Sequence, residues 1–378
     1  MTASGRVKGW CPGAWRPMAS GDGLIVRVRP RFGTLSRSQV LIICDASRRW
    51  GSGTIDLTNR GNVQLRGVHE QDWRSLLTAL IEADLIDSSP EAEARPPVLV
   101  APDWQPDDDN YIAAQMLSER LGELPALPAK VGFAVDAGPV RLLTDDPADF
   151  RIERAMTGSL MVRADGRELG TPVESVGTAV NTALRLARWF GESAGEGARR
   201  MKRRRDPLPD WLPEAVRPVL SQPSFPLGKH PLGLVYGLRF GQVSADALRK
   251  AVLPENVRGV RVTPWRRLLI EGAHPEPLDG LLTDEGDPGL TTDACPGKPF
   301  CEQATVPTRE LAQQLAGEIK GRLHVSGCPK GCARQRPADT CIVGEGGRYG
   351  VIFQGRADET PEVAGLTESQ LRSYFGVE

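Results

Sequence analysis

Hydrophobic and polar positions along the chain predict a strand-rich protein with helices between the strands. Leu24-Ile25-Val26-Arg27-Val28-Arg29 reads as a strand ending in two arginines, and alternate residues of a strand point to the same face. From Ser36 to about Arg48 the apolar residues recur at helical spacing, with Ser36 placed as the N-cap. Thr54–Thr58 and Asn62–Val68 predict two further strands, joined by the turn Asn59-Arg60-Gly61, and Gln71 to Ile86 predicts a helix packed on this unit.

The next stretch mixes both periodicities. Val98–Val100, Lys130–Val135, Val140–Leu143 and Leu160–Arg163 read as strands. Asp107-Asp108-Asp109 opens a helix through Leu121, where carboxylates suit the positive end of the helix dipole. Val173 to about Met201 reads as one long amphipathic helix ending in the basic run Arg199–Arg205, ahead of a Pro-rich linker. That run admits a nucleic-acid reading. A basic helix end, favoured by the dipole and near an anionic ligand or partner, is preferred.

The opening pattern then recurs. Pro231–Gly241 gives a strand and a Gly-rich turn, Ser244–Ala251 a helix, and Val260–Arg267 and Leu268–Gly272 two strands. Thr263-Pro264-Trp265-Arg266 takes the place of Thr58-Asn59-Arg60. Such a repeat implies two halves pairing into one pseudo-symmetric unit. Asp339–Val343 and Gly350–Gln354 read as strands, and Thr367–Phe375 as a terminal helix.

Length and charge narrow the function. The 378 residues suffice for two or three domains with proper cores. A net charge of −1 gives no global case for nucleic acid or membrane, and no apolar run is long enough to span a bilayer. The start of the chain lacks the pattern of a secretory signal. The four histidines, His69, His230, His274 and His324, make no paired ligand spacing.

Four of the seven cysteines change the picture: Cys295-Pro-Gly-Lys-Pro-Phe-Cys301, then Cys328-Pro-Lys-Gly-Cys332. Structural zinc suits gaps of two to four residues, which fits the second pair and not the first. Disulfides would need an oxidising compartment, which nothing here suggests. Four thiolates on two Pro- and Gly-bent loops suit a [4Fe–4S] cube, with amide N–H groups approaching the sulfurs. Cys11 and Cys341 read as packing residues.

C-x5-C followed by C-x3-C resembles the cluster signature of the sulfite and nitrite reductase superfamily, and Leu57–Gln64 resembles its T-N-R-Q-x-x-Q segment. The resemblance implies an α+β fold, with two ferredoxin-like half-domains forming a pseudo-symmetric "parachute" and two mixed α/β domains for cluster and tetrapyrrole. The expected divisions are 1–75 and 231–278 for the half-domains, 76–205 for the first α/β domain, 206–230 for a linker and 279–378 for the cluster domain. Arg27, Arg29, Arg60 and Gln64 would then face the macrocycle, whose carboxylates suit arginine forks.

Two segments depart from the reductases. Leu127-Pro-Ala-Lys130-Val-Gly132-Phe133 resembles L-P-x-K-x-K, whose two lysines bind and protonate a small oxyanion; Lys130 keeps the first, and Gly132 replaces the second. At Arg95-Pro96-Pro97-Val98 the reductases show Arg-Asn-Val; here Pro97 replaces the asparagine and the arginine is out of register by one. These departures, with Gly21-Asp-Gly-Leu24 and Val262-Thr-Pro-Trp-Arg266, resemble the precorrin-3B synthases of aerobic cobalamin biosynthesis, over nearly the whole chain.

That resemblance implies O2-dependent monooxygenation of precorrin-3A to precorrin-3B in the cytoplasm. Its cofactors would be a [4Fe–4S] cluster on Cys295, Cys301, Cys328 and Cys332 and a mononuclear non-haem iron, with electrons from NADH or a donor protein. Arg27, Arg29, Arg60, Arg66, Lys130 and Arg266 would clamp substrate carboxylates, while Asn62, Gln64 and Lys130 serve the chemistry. A sirohaem-dependent sulfite or nitrite reductase is the alternative, and a zinc or tetrapyrrole-carrier protein a second one.

Overall fold

The computed structural model describes residues 12–193, 199–222, 225–272 and 278–377. Cys11 and His274 lie outside them. The first half-domain comprises β1 (Met18–Ser20), β2 (Gly23–Val28), β3 (Thr34–Ser36), α1 (Arg37–Trp50), β4 (Thr54–Leu57) and β5 (Val63–Val68). Ser36 and Gln39 form a reciprocal capping box that starts α1. Val40, Ile43 and Cys44 on its inner face then pack against Val26, Ile55 and Leu65 of the sheet.

The chain continues through α2 (Trp73–Glu82) and α3 (Pro90–Glu93) into an α/β unit. This holds β6 (Val98–Val100), α4 (Asp109–Arg120), β7 (Phe133–Asp136), β8 (Phe150–Arg154), β9 (Leu160–Ala164), β10 (Thr171–Val173) and α5 (Val176–Ser193). Its sheet runs β10-β9-β8-β7-β6, with β6, β7 and β8 parallel. Asp108 caps α4 by accepting from Tyr111 N. The basic run folds back on this unit: Arg200 pairs with Asp149 at 2.9 Å, and Arg204 lies 4.1 Å above the Trp189 ring.

The second half-domain repeats the first: β11 (Gly228–His230), β12 (Gly233–Gly237), β13 (Gln242–Ser244), α6 (Ala245–Val252), β14 (Gly259–Val262) and β15 (Arg267–Glu271). The cysteine-bearing unit follows, with β16 (Thr292–Ala294), α7 (Arg309–Leu315), β17 (Leu323–Ser326), β18 (Ala338–Glu345), β19 (Arg348–Gly355), β20 (Val363–Leu366) and α8 (Glu368–Phe375). β16, β17 and β18 are parallel, and β19 and β20 add antiparallel.

The two half-domains exchange strands. The sheets are ordered β1-β2-β5-β4-β13 and β11-β12-β15-β14-β3, so each half lends one strand to the other. Ahead of each lent strand stands the same tripeptide, Arg31-Phe32-Gly33 and Arg239-Phe240-Gly241. Both phenylalanines are left-handed, at φ 52° and 58°. For a non-glycine residue that costs about 1–2 kcal/mol, and burial of the rings offsets it. Phe32 enters the core of the α/β unit against Trp104 and Tyr111, and Phe240 enters the core of the cysteine unit.

Several local expectations are corrected. Lys130 lies in a turn closed by Val131 N to Pro128 O, and the strand begins only at Phe133. Val140–Leu143 is not a strand, because buried Asp136 takes the amides of Leu142 and Leu143. The helix expected from Val173 is α5 alone, since Thr171–Val173 pairs with β9. The repeat also shifts by one residue. Thr58 Oγ1 accepts from the amides of Arg60 and Asn62, and Thr263 Oγ1 from those of Trp265 and Arg267. Trp265 therefore stands where Arg60 does, and Arg266 where Gly61 does, both left-handed at φ 59° and 65°.

Candidate functional site

The strands of the first half-domain set its polar face. Gln64 and Arg66 alternate along β5, with Asn62 just ahead of the strand, and Asp56 lies opposite Gln64 on β4. The facing pair on β2 is Arg27, which donates through Nη2 to Gln64 Oε1 at 2.6 Å. Asp56, only 5% exposed, accepts from Gln242 of β13 and from Arg309 of α7, both at 3.3 Å. This face therefore looks toward the cysteine unit, while Val26, Val63 and Leu65 pack on the other side.

At one end of the face lies a cavity of about 940 Å³ between the first half-domain and the α/β unit. Arg29, Arg31, Arg60, Arg95 and Asn62 line it, together with Asp84, Asp87, Glu93 and Glu119. Two of the arginines are held by backbone: Arg29 donates to Glu93 O at 2.8 Å, and Arg60 to Lys130 O at 3.3 Å. Glu93 is taken up by the amides of Ala14 and Trp15. Lys130 is exposed beside Arg60. Sequence alone does not single out Arg31 and places Arg95 out of register with the reductase pattern, yet both line the cavity.

Gly132 explains that shift. A side chain built on it would meet Pro97 O at 2.9 Å and Pro97 Cγ at 3.0 Å. The position that carries the second lysine in the reductase pattern is filled by the proline that replaces the reductase asparagine.

At the other end, the turn Ser20-Gly21-Asp22 rests on the first cysteine loop. Ser20 Oγ donates to Phe300 O at 2.7 Å. Gly21 approaches so closely that an added Cβ would fall 2.2 Å from Pro299 O. Arg66 is buried here, bound to both Asp22 oxygens and to Phe300 O. Arg266 is occupied likewise, by Asp293 Oδ1 at 2.5 Å and Ala333 O at 3.0 Å. The carboxylate clamp expected from sequence thus loses both, because their guanidiniums are spent on protein oxygens.

The four thiols stand on two loops whose sharp turns need Gly297 and Gly331, at φ 69° and 58°. Cys295 Sγ accepts from Gly327 N at 3.2 Å. Burial raises the Cys328 thiol, with Cys295 and Cys301 adding to the shift. Cys332 is exposed as a residue, yet burial of its sulfur and the charges of Cys295, Cys328 and Cys301 push it up to about 11. Four sulfurs that feel one another, with an amide already on one, fit a cube, whose thiolates bind separate corners. Among the described residues no three His, Cys, Asp or Glu side chains converge on a single ion. The ligands of the expected mononuclear iron are not identified among them. His324 is fully buried and neutral: burial pushes its pKa down to about 4, and Nδ1 lies 3.5 Å from Cys341 Sγ.

Comparison with known proteins agrees with this architecture. Residues 16–83 match the family described as the nitrite/sulfite reductase ferredoxin-like half domain. The solved Mycobacterium tuberculosis NirA protein superposes with a TM-score of 0.59 at 19% identity, covering 93% of this chain and 79% of that one. The fold is therefore that of the sulfite and nitrite reductases. A ferredoxin–nitrite reductase of Synechococcus elongatus is 23% identical over 89% of this chain and 78% of its own length. A precorrin-3B synthase of Sinorhizobium sp is 30% identical over 95% of this chain and 86% of its own length. The chain belongs to the precorrin-3B synthase family.

Proposed function

We propose that this protein is a precorrin-3B synthase, an O2-dependent monooxygenase acting on precorrin-3A. In that reaction C20 gains a hydroxyl and the ring A acetate closes a γ-lactone onto C1. One oxygen atom enters the macrocycle, and the other leaves as water with two electrons and two protons. The contact of Pro97 with Gly132 carries the reading. A sulfite or nitrite reductase must bind and protonate a small anion, and the room for its second lysine is filled. The arginines that suit a ring of carboxylates remain around the cavity.

Under this reading Arg29 and Arg60, with Arg31 and Arg95, bind substrate carboxylates, and Lys130 adds an ammonium at the rim. Arg27 holds the Gln64 carbonyl oxygen, which leaves the Gln64 amide nitrogen to donate toward the macrocycle. Asn62 offers a second amide at the cavity wall. Cys295, Cys301, Cys328 and Cys332 would hold a [4Fe–4S] cluster, which supplies single electrons drawn from NADH or a donor protein. β5 supports a link between the two, since Asn62 at the cavity and Arg66 at the cysteine loop are four residues apart, about 13 Å along a strand. The reading carries a reducing, cytoplasmic setting with it. No helix among the described residues is long and apolar enough to cross a membrane.

The test is anaerobic metal and acid-labile sulfide analysis with a visible spectrum. Iron and sulfide in cube proportion, without sirohaem bands, are expected. Sirohaem bands with nitrite or sulfite turnover would overturn the reading.

A further inference from the structure

We infer that Arg266 and Arg66 are positioning residues for the cluster, one sent by each half-domain to a carbonyl flanking a cluster cysteine, and that the Arg266 node sets the cluster's reduction potential. This rests on the reading above that the four cysteines hold a [4Fe–4S] cluster.

The two arginines use the same device. Arg66 donates to Phe300 O at 3.0 Å, the residue before Cys301, while Asp22 holds the rest of its guanidinium. Arg266 donates to Ala333 O at 3.0 Å, the residue after Cys332, while Asp293 holds the other side at 2.5 Å. Asp293 itself lies two residues before Cys295, in the middle of β16. One guanidinium thus ties the first cysteine loop to the second. Each half-domain fixes the thiol spacing from outside the unit that carries the thiols.

The Arg266 node is also unbalanced in charge. Asp293 is 5% exposed and meets three arginines, Arg266, Arg322 at 3.1 Å and Arg334 at 3.5 Å. His324, beside Asp293 across the β16–β17 pair, is kept neutral by burial. Asp293 shares three guanidiniums, and Asp339 also faces Arg322, which leaves a net positive charge at the base of the loops that carry Cys295 and Cys332. A thiolate-ligated cluster on those loops is an anion that such a charge favours. Arg266 is held there at a backbone cost, left-handed where its counterpart in the first half is Gly61.

Reduction adds one negative charge to the cluster, so nearby cations favour the reduced form. Removing one should make the potential more negative, and removing Asp293 should make it more positive. The experiment is redox titration of the reconstituted protein by electron paramagnetic resonance, with iron content followed during chelator challenge. Arg266→Gln is expected to lose iron at least several-fold faster and to shift the reduction equilibrium roughly tenfold, about 59 mV for one electron, downward. Arg334→Gln, whose contact with Asp293 is the longest of the three at 3.5 Å, should move the potential the same way without loosening the loops. Asp293→Asn should move it upward. Arg66→Gln should speed iron loss at the first loop, and Arg31→Gln at the cavity should change neither reading. Unchanged potentials in Arg266→Gln, Arg334→Gln and Asp293→Asn overturn the tuning role, and unchanged iron retention in Arg66→Gln and Arg266→Gln overturns the positioning role. If Arg266→Gln does not fold, Arg334→Gln and Asp293→Asn decide the potential and Arg66→Gln decides the retention. A wild-type protein without iron and sulfide would instead defeat the reading beneath the inference.

Discussion

Gly132 has no room for a side chain because Pro97 occupies it, with Pro97 O 2.9 Å and Pro97 Cγ 3.0 Å from where a Cβ would stand. The same Pro97 carbonyl accepts from Phe133 N at 2.9 Å, so it cannot turn aside without losing the first bond of β7. Two departures from the reductase pattern, 35 positions apart in sequence, are one structural event. Gly132→Ala should therefore destabilise by about 1–3 kcal/mol, the usual cost of overpacking. Gly132→Lys should cost more, and should not create an oxyanion reductase. Denaturant unfolding reads the first effect and sulfite or nitrite turnover the second. An unchanged unfolding midpoint for Gly132→Ala would mean that Pro97 yields freely.

Arg60 lines the cavity and keeps one donor on Lys130 O. Arg60→Ala should weaken precorrin-3A binding by about 2–5 kcal/mol, the range for orphaning a buried charge partner. Iron and sulfide should stay at wild-type levels. Binding measured under anaerobic conditions checks this, and unchanged affinity would place the macrocycle elsewhere.

Cys295→Ser and Cys328→Ser each remove one ligand of the cube, and a cube on three protein ligands is labile. Both should lose the broad visible absorption together with most of the iron and sulfide. Full retention of metal in either variant would show that the ligand set is wrong.

Asp136 gives a pH signature independent of turnover. Burial raises its pKa to about 7, with Glu153 adding and the amides of Leu143 and Leu142 opposing. The folded state then holds a proton that the unfolded state releases near 3.8. This contribution is fully present below about pH 4 and is lost as pH rises through 7. Asp136→Asn keeps an acceptor for the two amides and cannot ionise. Its stability relative to wild type should rise between pH 5 and 8, measured by urea midpoints across that range. A constant difference would mean that Asp136 is ionised in the folded protein.

What could be read from sequence follows the range of each signal. Ser36 and Gln39 announce α1 because a capping box is local. The alternation through Leu24–Arg29 finds β2, and the cysteine spacing finds both thiol loops. The exchange of β3 and β13 stayed hidden, since strands of three residues carry no periodicity and their partners are about 200 positions away. The one-residue shift between the halves was hidden for another reason. Thr-x-Arg and Thr-x-x-Arg look alike in sequence, whereas the bonds to Thr58 and Thr263 align Arg60 with Trp265. Arg66 and Arg266 read as substrate clamps because a strand arginine declares its charge and not its partner. Only folding shows that Asp22 and Asp293 reach them first.

The most direct test of the proposed function is turnover of precorrin-3A by the reconstituted protein under ¹⁸O2 with a reductant, followed by mass spectrometry of the macrocycle. A product carrying one labelled oxygen atom, absent without O2, is the expected result. Unlabelled macrocycle, together with sirohaem bands and reduction of nitrite or sulfite, would contradict it.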